Sequence, residues 1–260
     1  MPFIDVPGAR IYWKRDGRDD APALVLLNSI GTDMDLWDGV LPLLREHFAL
    51  LRIDARGHGA SCTEPGDMSL AMLADDVLAA ADAARIGRFA LAGVSLGGMI
   101  GMELTLRAPE RISDLALICT SATMDAASWN DRIAKVRVEG MAAIADLAMG
   151  RFLSDAAPPA IRESVRRQLL TMEAEGYAGC GAAIRDMDLA QRVAGIACPT
   201  LVITGTRDTS TPLTGHGEHL LAHIPGAKHY SLEAAHLAPL EAPEALAGAL
   251  LSFLQVQTHG

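Results

Sequence analysis

Short, almost wholly apolar runs alternate along this chain with longer stretches whose apolar residues recur every three or four positions. The runs fall at 23–27, 49–53, 89–92, 115–119 and 200–203, with a shorter and more mixed one at 227–232. A run without polar alternation predicts a strand covered on both faces. The periodic stretches between the runs predict helices. Leu36, Val40, Leu43 and Leu44 mark one. Another covers 69–86, with Leu70, Leu73, Val77 and Leu78 on one side and Ser69 as its N-cap. A closing helix is predicted over 243–256, with Pro243 near its first turn, and the tail 257–260 is expected to fray. Two loosely alternating pieces, 3–6 and 11–14, flank Pro7-Gly8 and predict an opening hairpin. Such alternation implies an α/β fold, with a mostly parallel sheet flanked by helices.

The alternation breaks between Ser121 and Ala194. Strands vanish there, and four amphipathic segments follow one another at 127–140, 141–152, 158–175 and 180–188. Residues 121–194 read as a helical cap inserted between two strands. Residues 1–120 and 195–260 read as the α/β core. Active sites of such sheets lie at the carboxyl ends of the strands, so the insertion is expected over that edge.

The pattern that organises the chain runs from Arg88 to Arg107. An apolar strand leads into Gly93-Val94-Ser95-Leu96-Gly97, and a helix-like segment follows from Met99. A turn this tight crowds any side chain at its flanks, so both are glycine. It pushes Ser95 out at the start of the helix. Free backbone N–H groups and a partial positive charge there would stabilise a substrate oxyanion. The bland alternative is a glycine-rich turn that packs a helix closely on a sheet. The strand before and the helix after favour a nucleophile.

A serine hydroxyl needs a base, and the base needs an orienting acid. Asp208 follows the run at 200–203 and His236 follows the run at 227–232. All three residues thus fall at strand carboxyl ends, in the order Ser95, Asp208, His236. Asp208 competes with Asp54, Asp186 and Asp188, and could instead cap a helix. His236 could instead be a loop histidine satisfied by a backbone carbonyl. His58 lies in a glycine-rich turn and reads as structural, though near the site. His216, His219, His223 and His229 read as solvated, His47 ends a helix, and His259 lies in the tail. The oxyanion needs two donors. The N–H of Leu96 and, from the loop after 23–27, the N–H of Ile30 are assigned to it.

Composition narrows the partners. Half of the 260 residues are apolar, enough for a sizeable core. The net charge of −10 argues against nucleic acid or an anionic membrane. Cys62, Cys119, Cys180 and Cys198 show neither C-x-x-C spacing nor clustering with histidine, so no metal site is expected. They read as buried free thiols in a reducing compartment. The N-terminus lacks a signal-peptide pattern, and no apolar run approaches the roughly 20 residues of a membrane span. The expectation is a soluble cytoplasmic protein.

Together, Gly93-x-Ser95-x-Gly97, Asp54-x-Arg56-Gly57-x-Gly59-x-Ser61, Gly205-x-x-Asp208 and the late His236 resemble the α/β-hydrolase fold enzymes over essentially the full length. Many members carry His-Gly where this chain has Asn28-Ser29. The combination of LLNSIGTDMDLWD, GVSLGGMIGMEL, ICTSA…WNDRI and EAAHLAPLEAPE resembles more closely the 3-oxoadipate enol-lactonases of protocatechuate and catechol breakdown. That resemblance implies cofactor-free hydrolysis of a small anionic lactone, 3-oxoadipate enol-lactone, to 3-oxoadipate, by Ser95, His236 and Asp208. In a chain of net charge −10 the substrate carboxylate needs a cation nearby. The first cap segment offers Trp129, Arg132, Lys135 and Arg137. Arg132 is assigned to the carboxylate, because a guanidinium fork fits one bidentately, and Trp129 to an apolar wall. A solvated helix face is the alternative. Competing functions are a general carboxylesterase, a cofactor-free perhydrolase on the same fold, and a non-catalytic ligand receptor.

Overall fold

The computed structural model describes residues 2–257; residues 258–260, with His259 and most of the tail expected to fray, lie outside the described residues. Among the described residues nine strands form one sheet: β1 Phe3–Val6, β2 Ala9–Gly17, β3 Ala23–Leu27, β4 Ala49–Ile53, β5 Cys62–Thr63, β6 Phe89–Val94, β7 Ile112–Ile118, β8 Thr200–Gly205 and β9 Lys228–Leu232. Their order is β1-β2-β4-β3-β6-β7-β8-β9, with β5 on β2. The expected hairpin is the antiparallel pair β1–β2, and β2 also runs antiparallel to β4 and β5. From β4 to β9 every pairing is parallel. Every residue of β4, β6 and β8 is buried. Successive strand residues point to opposite faces, so both faces of the sheet are covered.

Ten α-helices accompany these strands among the described residues: α1 Leu41–Leu44, α2 Leu70–Ala83, α3 Leu96–Arg107, α4 Ala126–Glu139, α5 Ala145–Phe152, α6 Pro159–Thr171, α7 Ala174–Arg185, α8 Glu218–His223, α9 Ala238–Glu241 and α10 Pro243–Gln257. Ser69 caps α2, its side chain accepting from the Met72 N–H at 3.2 Å. Helices α4 to α7 occupy the stretch between β7 and β8. Chain direction across the sheet reverses at β3 and β6, which are neighbours. The loops leaving their carboxyl ends therefore meet at a switch point, the usual place for a ligand crevice.

Three helical expectations change. The stretch marked by Leu36, Val40, Leu43 and Leu44 is a 3₁₀ turn, Met34–Trp37, followed by the single turn α1. Pro42 lacks an N–H and fits only a first turn, so it restarts the helix there and leaves Leu43 exposed. Residues 141–152 split likewise into the 3₁₀ turn Met141–Ile144 and α5. The segment expected at 180–188 begins earlier, at Ala174, because Gly176 to Ile184 are all buried and show no polar face. Cys119 and Cys180 are buried, as expected for the thiols, but Cys198 is only half-buried and Cys62 is exposed; all four are free. Among the described residues no helix is long and apolar enough to cross a membrane.

Two arginines are buried with their charges matched. Arg52 bonds Asp16 and Asp38, each at 2.9 Å, and the Met34 carbonyl. Arg56 holds Asp76 through both carboxylate oxygens, at 2.5 and 2.7 Å, and donates to the Pro7 carbonyl. Burying one such charge without its partner is strongly destabilising. Asp76→Ala should lower unfolding stability by about 3 kcal/mol, read from urea denaturation. A change within error would show that Arg56 finds water or another acceptor.

Candidate active site

Ser95 sits on a strained turn, with φ +53° and ψ −113°. Four hydrogen bonds hold its backbone. Its N–H donates to the Ile118 carbonyl at 2.9 Å, and its own carbonyl accepts from Thr120 Oγ1 at 2.6 Å and from the N–H groups of Gly98 and Met99. A Cβ at Gly93 would overlap the Gly97 backbone, and one at Gly97 would overlap the Leu27 carbonyl. The Gly97 N–H reaches the Asn28 carbonyl at 3.0 Å, joining this elbow to the loop after β3. Ser95 is the N-cap of α3, yet its side chain makes no capping bond. The hydroxyl therefore stands at a helix N-terminus without being consumed by it.

Asp208 and His236 meet after β8 and β9. His236 Nδ1 lies 3.0 Å from Asp208 Oδ2 and 3.1 Å from Oδ1. The same carboxylate accepts from the N–H groups of Ser210 and Thr211 and from Thr211 Oγ1. Asp208 therefore holds the imidazole and also caps the turn at Ser210 and Thr211; the alternative of a helix N-cap is not what the structure shows, since the helical stretch after it is N-capped by Pro212. Burial pushes its carboxyl up, but the His236 charge and these donors outweigh burial and hold it at about 2. With an ionised acid at Nδ1, the histidine is set to donate there and to keep Nε2 as an acceptor. The Phe152 ring stacks on the imidazole, with centroids 6.1 Å apart and an interplanar angle of 15°.

The loop after β3 is stitched from several sides. Asn28 Nδ2 donates to the Ile53 carbonyl at 2.9 Å, and its Oδ1 accepts from Trp37 Nε1 at 3.0 Å. The Ser29 carbonyl accepts from the Thr32 N–H and from Thr32 Oγ1. The Gly31 N–H donates to His58 Nε2 at 3.2 Å. Among the described residues neither the Ile30 N–H nor the Leu96 N–H has an acceptor. The turn carrying His58 also holds Asp54, which accepts from the N–H groups of Met34 and Ala60. Burial lowers the His58 imidazole to about 4. Burial, aided by Asp33 and Asp35, raises the Asp54 carboxyl to about 6 against the pull of its two N–H donors.

Ser95 and His236 line one small cavity together with Ile30, Ser210 and Thr211. The stretch between β7 and β8 closes it with Met124, Trp129, Arg132, Ala148, Arg151, Phe152 and Ile184. Among the described residues no carboxylate lines it. Arg132 lies over the Trp129 ring, 4.4 Å from the centroid, and its Nη1 is 3.4 Å from the Tyr177 hydroxyl. Lys135 lies elsewhere, exposed, and Arg137 is engaged by Asp67 and Glu175. Arg151 is a lining residue that the sequence did not suggest. It is half-buried, and among the described residues its guanidinium has no hydrogen-bond or ion-pair partner, its charge acting only at longer range on the Tyr177 hydroxyl. Two histidines expected to be solvated are not: His216 Nδ1 contacts Ser121 Oγ at 2.8 Å, and His219 Nε2 contacts the Ala190 carbonyl at 2.8 Å. His223 and His229 are exposed.

Residues 22–145 match the model of a family described as having the alpha/beta hydrolase fold. The chain is 34% identical over 235 residues to 3-oxoadipate enol-lactonase 2 of Acinetobacter baylyi, covering 88% of this chain and 87% of that protein. The crystal structure of the enol-lactonase from Burkholderia xenovorans LB400 superposes with a TM-score of 0.94 at 34% identity, covering 98% of this chain and all of that one. That of a hydrolase from Pseudomonas aeruginosa PA01 superposes at 0.92 with 44% identity, covering 97% of each chain.

Asp54 and His58 titrate in opposite senses. Unfolded His58 takes a proton near 6.5 whereas the folded imidazole refuses one until about 4, so its contribution to stability falls as pH drops through that window. Folded Asp54 stays protonated up to about 6 whereas the unfolded side chain ionises near 3.8, so its contribution is lost as pH rises through 6. The two slopes oppose each other in the intact chain. In Asp54→Asn, unfolding stability measured in urea should rise more steeply between about pH 4 and 6.5 than in the parent. An unchanged or shallower slope would contradict the assignment.

Proposed function

The chain belongs to the α/β-hydrolase fold family, and from that premise we propose that it is a serine hydrolase of a small enol-lactone, 3-oxoadipate enol-lactone being the substrate that fits best. One observation carries the reading. The Asp208–His236 pair opens onto the cavity that Ser95 lines, and among the described residues that cavity is lined by two guanidinium groups and no carboxylate. The names of its relatives favour the same substrate.

In this mechanism His236 Nε2 takes the Ser95 proton as the oxygen attacks the lactone carbonyl. The tetrahedral oxyanion is met by the N–H groups of Leu96 and Ile30. Collapse breaks the ring C–O bond and leaves an acyl ester on Ser95. The departing enolate is a better leaving group than an alkoxide. His236 returns the proton to it, and the enol tautomerises to the ketone. His236 then draws a proton from water, which attacks the ester, and returns it to the Ser95 oxygen as the acyl C–O bond breaks and the diacid is released. Asp208 holds the imidazole in one tautomer and stabilises its cation. No metal or cofactor enters any of these steps.

Residues 121–194 act as the cap of this site and supply its specificity. Arg132 binds the carboxylate remote from the reacting carbonyl, braced by stacking on Trp129. Arg151 offers a second guanidinium in a cavity that gives it no partner of its own. Both compensate locally for the net negative charge that would repel an anion. Aromatic catabolism in the cytoplasm is the setting this substrate implies.

Turnover of the enol-lactone followed spectroscopically, with Ser95→Ala as the blank, tests the proposal. Asp208→Asn should lower kcat by about 10⁴-fold by leaving the wrong histidine tautomer. Arg132→Ala and Arg151→Ala should each raise KM for the anionic lactone by about tenfold or more, and leave turnover of neutral p-nitrophenyl acetate nearly unchanged. Preference for the acetate over the lactone would make the protein a general carboxylesterase. Failure of a fluorophosphonate to label Ser95 would favour a binding role.

A further inference from the structure

We propose that His58 is a positioning residue: it fixes the loop that presents the Ile30 N–H to the oxyanion. The inference rests on the reading of Ser95 as nucleophile and adds a residue that does not line the cavity. His58 is buried, and each ring nitrogen faces one backbone group. Nδ1 lies 2.8 Å from the Arg56 carbonyl, which can only accept, so Nδ1 carries the proton. Nε2 lies 3.2 Å from the Gly31 nitrogen, which can only donate, so Nε2 is the acceptor. The imidazole is thus a neutral bridge between the turn after β4 and the loop after β3. The same burial that resists its protonation preserves the lone pair that Gly31 needs.

What that lone pair controls follows from peptide geometry. The Ser29 carbonyl and the Ile30 N–H belong to one planar peptide and point in opposite directions. Thr32 holds that carbonyl through its N–H at 3.2 Å and its Oγ1 at 2.8 Å, which orients the Ile30 N–H. The next peptide carries the Gly31 N–H, and His58 holds it. Gly31 itself has φ +82°, a conformation the chain leaves easily if its N–H is released. Thr32 and His58 therefore fix the two peptides on either side of the Ile30 Cα. Without the His58 acceptor the Gly31 N–H would be buried and unpaired, and the loop would turn to find water or another oxygen.

Three variants separate this role from packing. His58→Phe fills the space and removes both bonds. His58→Asn keeps a donor near Nδ1 and loses the acceptor toward Gly31. His58→Gln places a carbonyl oxygen near the position of Nε2. With p-nitrophenyl acetate, kcat should fall about tenfold or more in the Phe and Asn variants with KM nearly unchanged, and Gln should recover most of the loss. Fluorophosphonate labelling of Ser95 should slow in parallel, since phosphonylation develops charge at the same donors. A folded Phe or Asn variant with parental kcat would overturn the proposal. So would a Gln variant as slow as Asn, because the acceptor would then be irrelevant. If Phe does not fold, the Asn–Gln contrast alone decides. If Ser95→Ala keeps full activity, it is the nucleophile reading that fails, which the His58 series would not mimic.

Discussion

The site depends on one close approach, that of the elbow backbone to the end of β3. Gly97 can donate to the Asn28 carbonyl only because neither it nor Gly93 carries a side chain. That contact brings the N-terminus of α3 beside the loop that follows β3, at the point where chain direction across the sheet reverses. The backbone strain at Ser95 is sustained by its bonds to β7 and to Thr120. A serine on a relaxed turn could be no less nucleophilic in isolation. In the proposed mechanism it would lack the Leu96 and Ile30 N–H groups beside it, and bringing donors to the oxyanion at the moment of reaction would cost free energy.

The turn at 54–61 supports this geometry from behind. Asp54 bonds the N–H groups of Met34 and Ala60, Ser61 bridges the Asp54 carbonyl and the Tyr12 N–H, and Arg56 anchors to Asp76. Gly57 lies so close to Gly176 that a Cβ on either would overlap the other's backbone. The motif therefore touches four things at once: the first strands, helix α2 through Arg56, the loop after β3 through His58, and helix α7. Its residue types follow from bonds to backbone groups and from close approach, not from contact with the reacting atoms.

The central strands β3, β4, β6, β7 and β8 were legible because nearly continuous burial leaves nearly continuous apolar runs, whereas the two-residue β5 leaves none and β9 is exposed at four of its five residues. The positions of Ser95, Asp208 and His236 were legible because parallel strands place their carboxyl ends along one edge. Helix α7 was misplaced because residues buried all round leave no periodicity to find. Arg151 was missed because an arginine whose charge is left without a partner looks, in sequence, like any arginine on an amphipathic helix. The bond from Gly31 to His58 spans 27 positions and uses a backbone donor, so no residue pattern announces it. Pairings between side chain and backbone over such distances are where sequence reasoning runs out.

The segment between β7 and β8 also holds His236. The Leu237 N–H donates to the Phe152 carbonyl at 3.0 Å, and the Phe152 ring stacks on His236. Glu241 accepts from the Ser154 N–H with one oxygen and from the Ala235 N–H with the other, each at 2.7 Å. One carboxylate thus ties the end of α5 to the residue preceding His236. Arg151, Phe152 and Ser154 are near neighbours in the chain, so the cation lining the cavity and the groups steadying the imidazole belong to one short stretch. In the proposed function, a ligand held by Arg151 would sit on the same short stretch as the contacts that hold His236. In the proposed mechanism, binding of the anionic group and placement of the imidazole would then draw on the same stretch of chain, a route by which binding energy far from the reacting carbonyl reaches the chemistry.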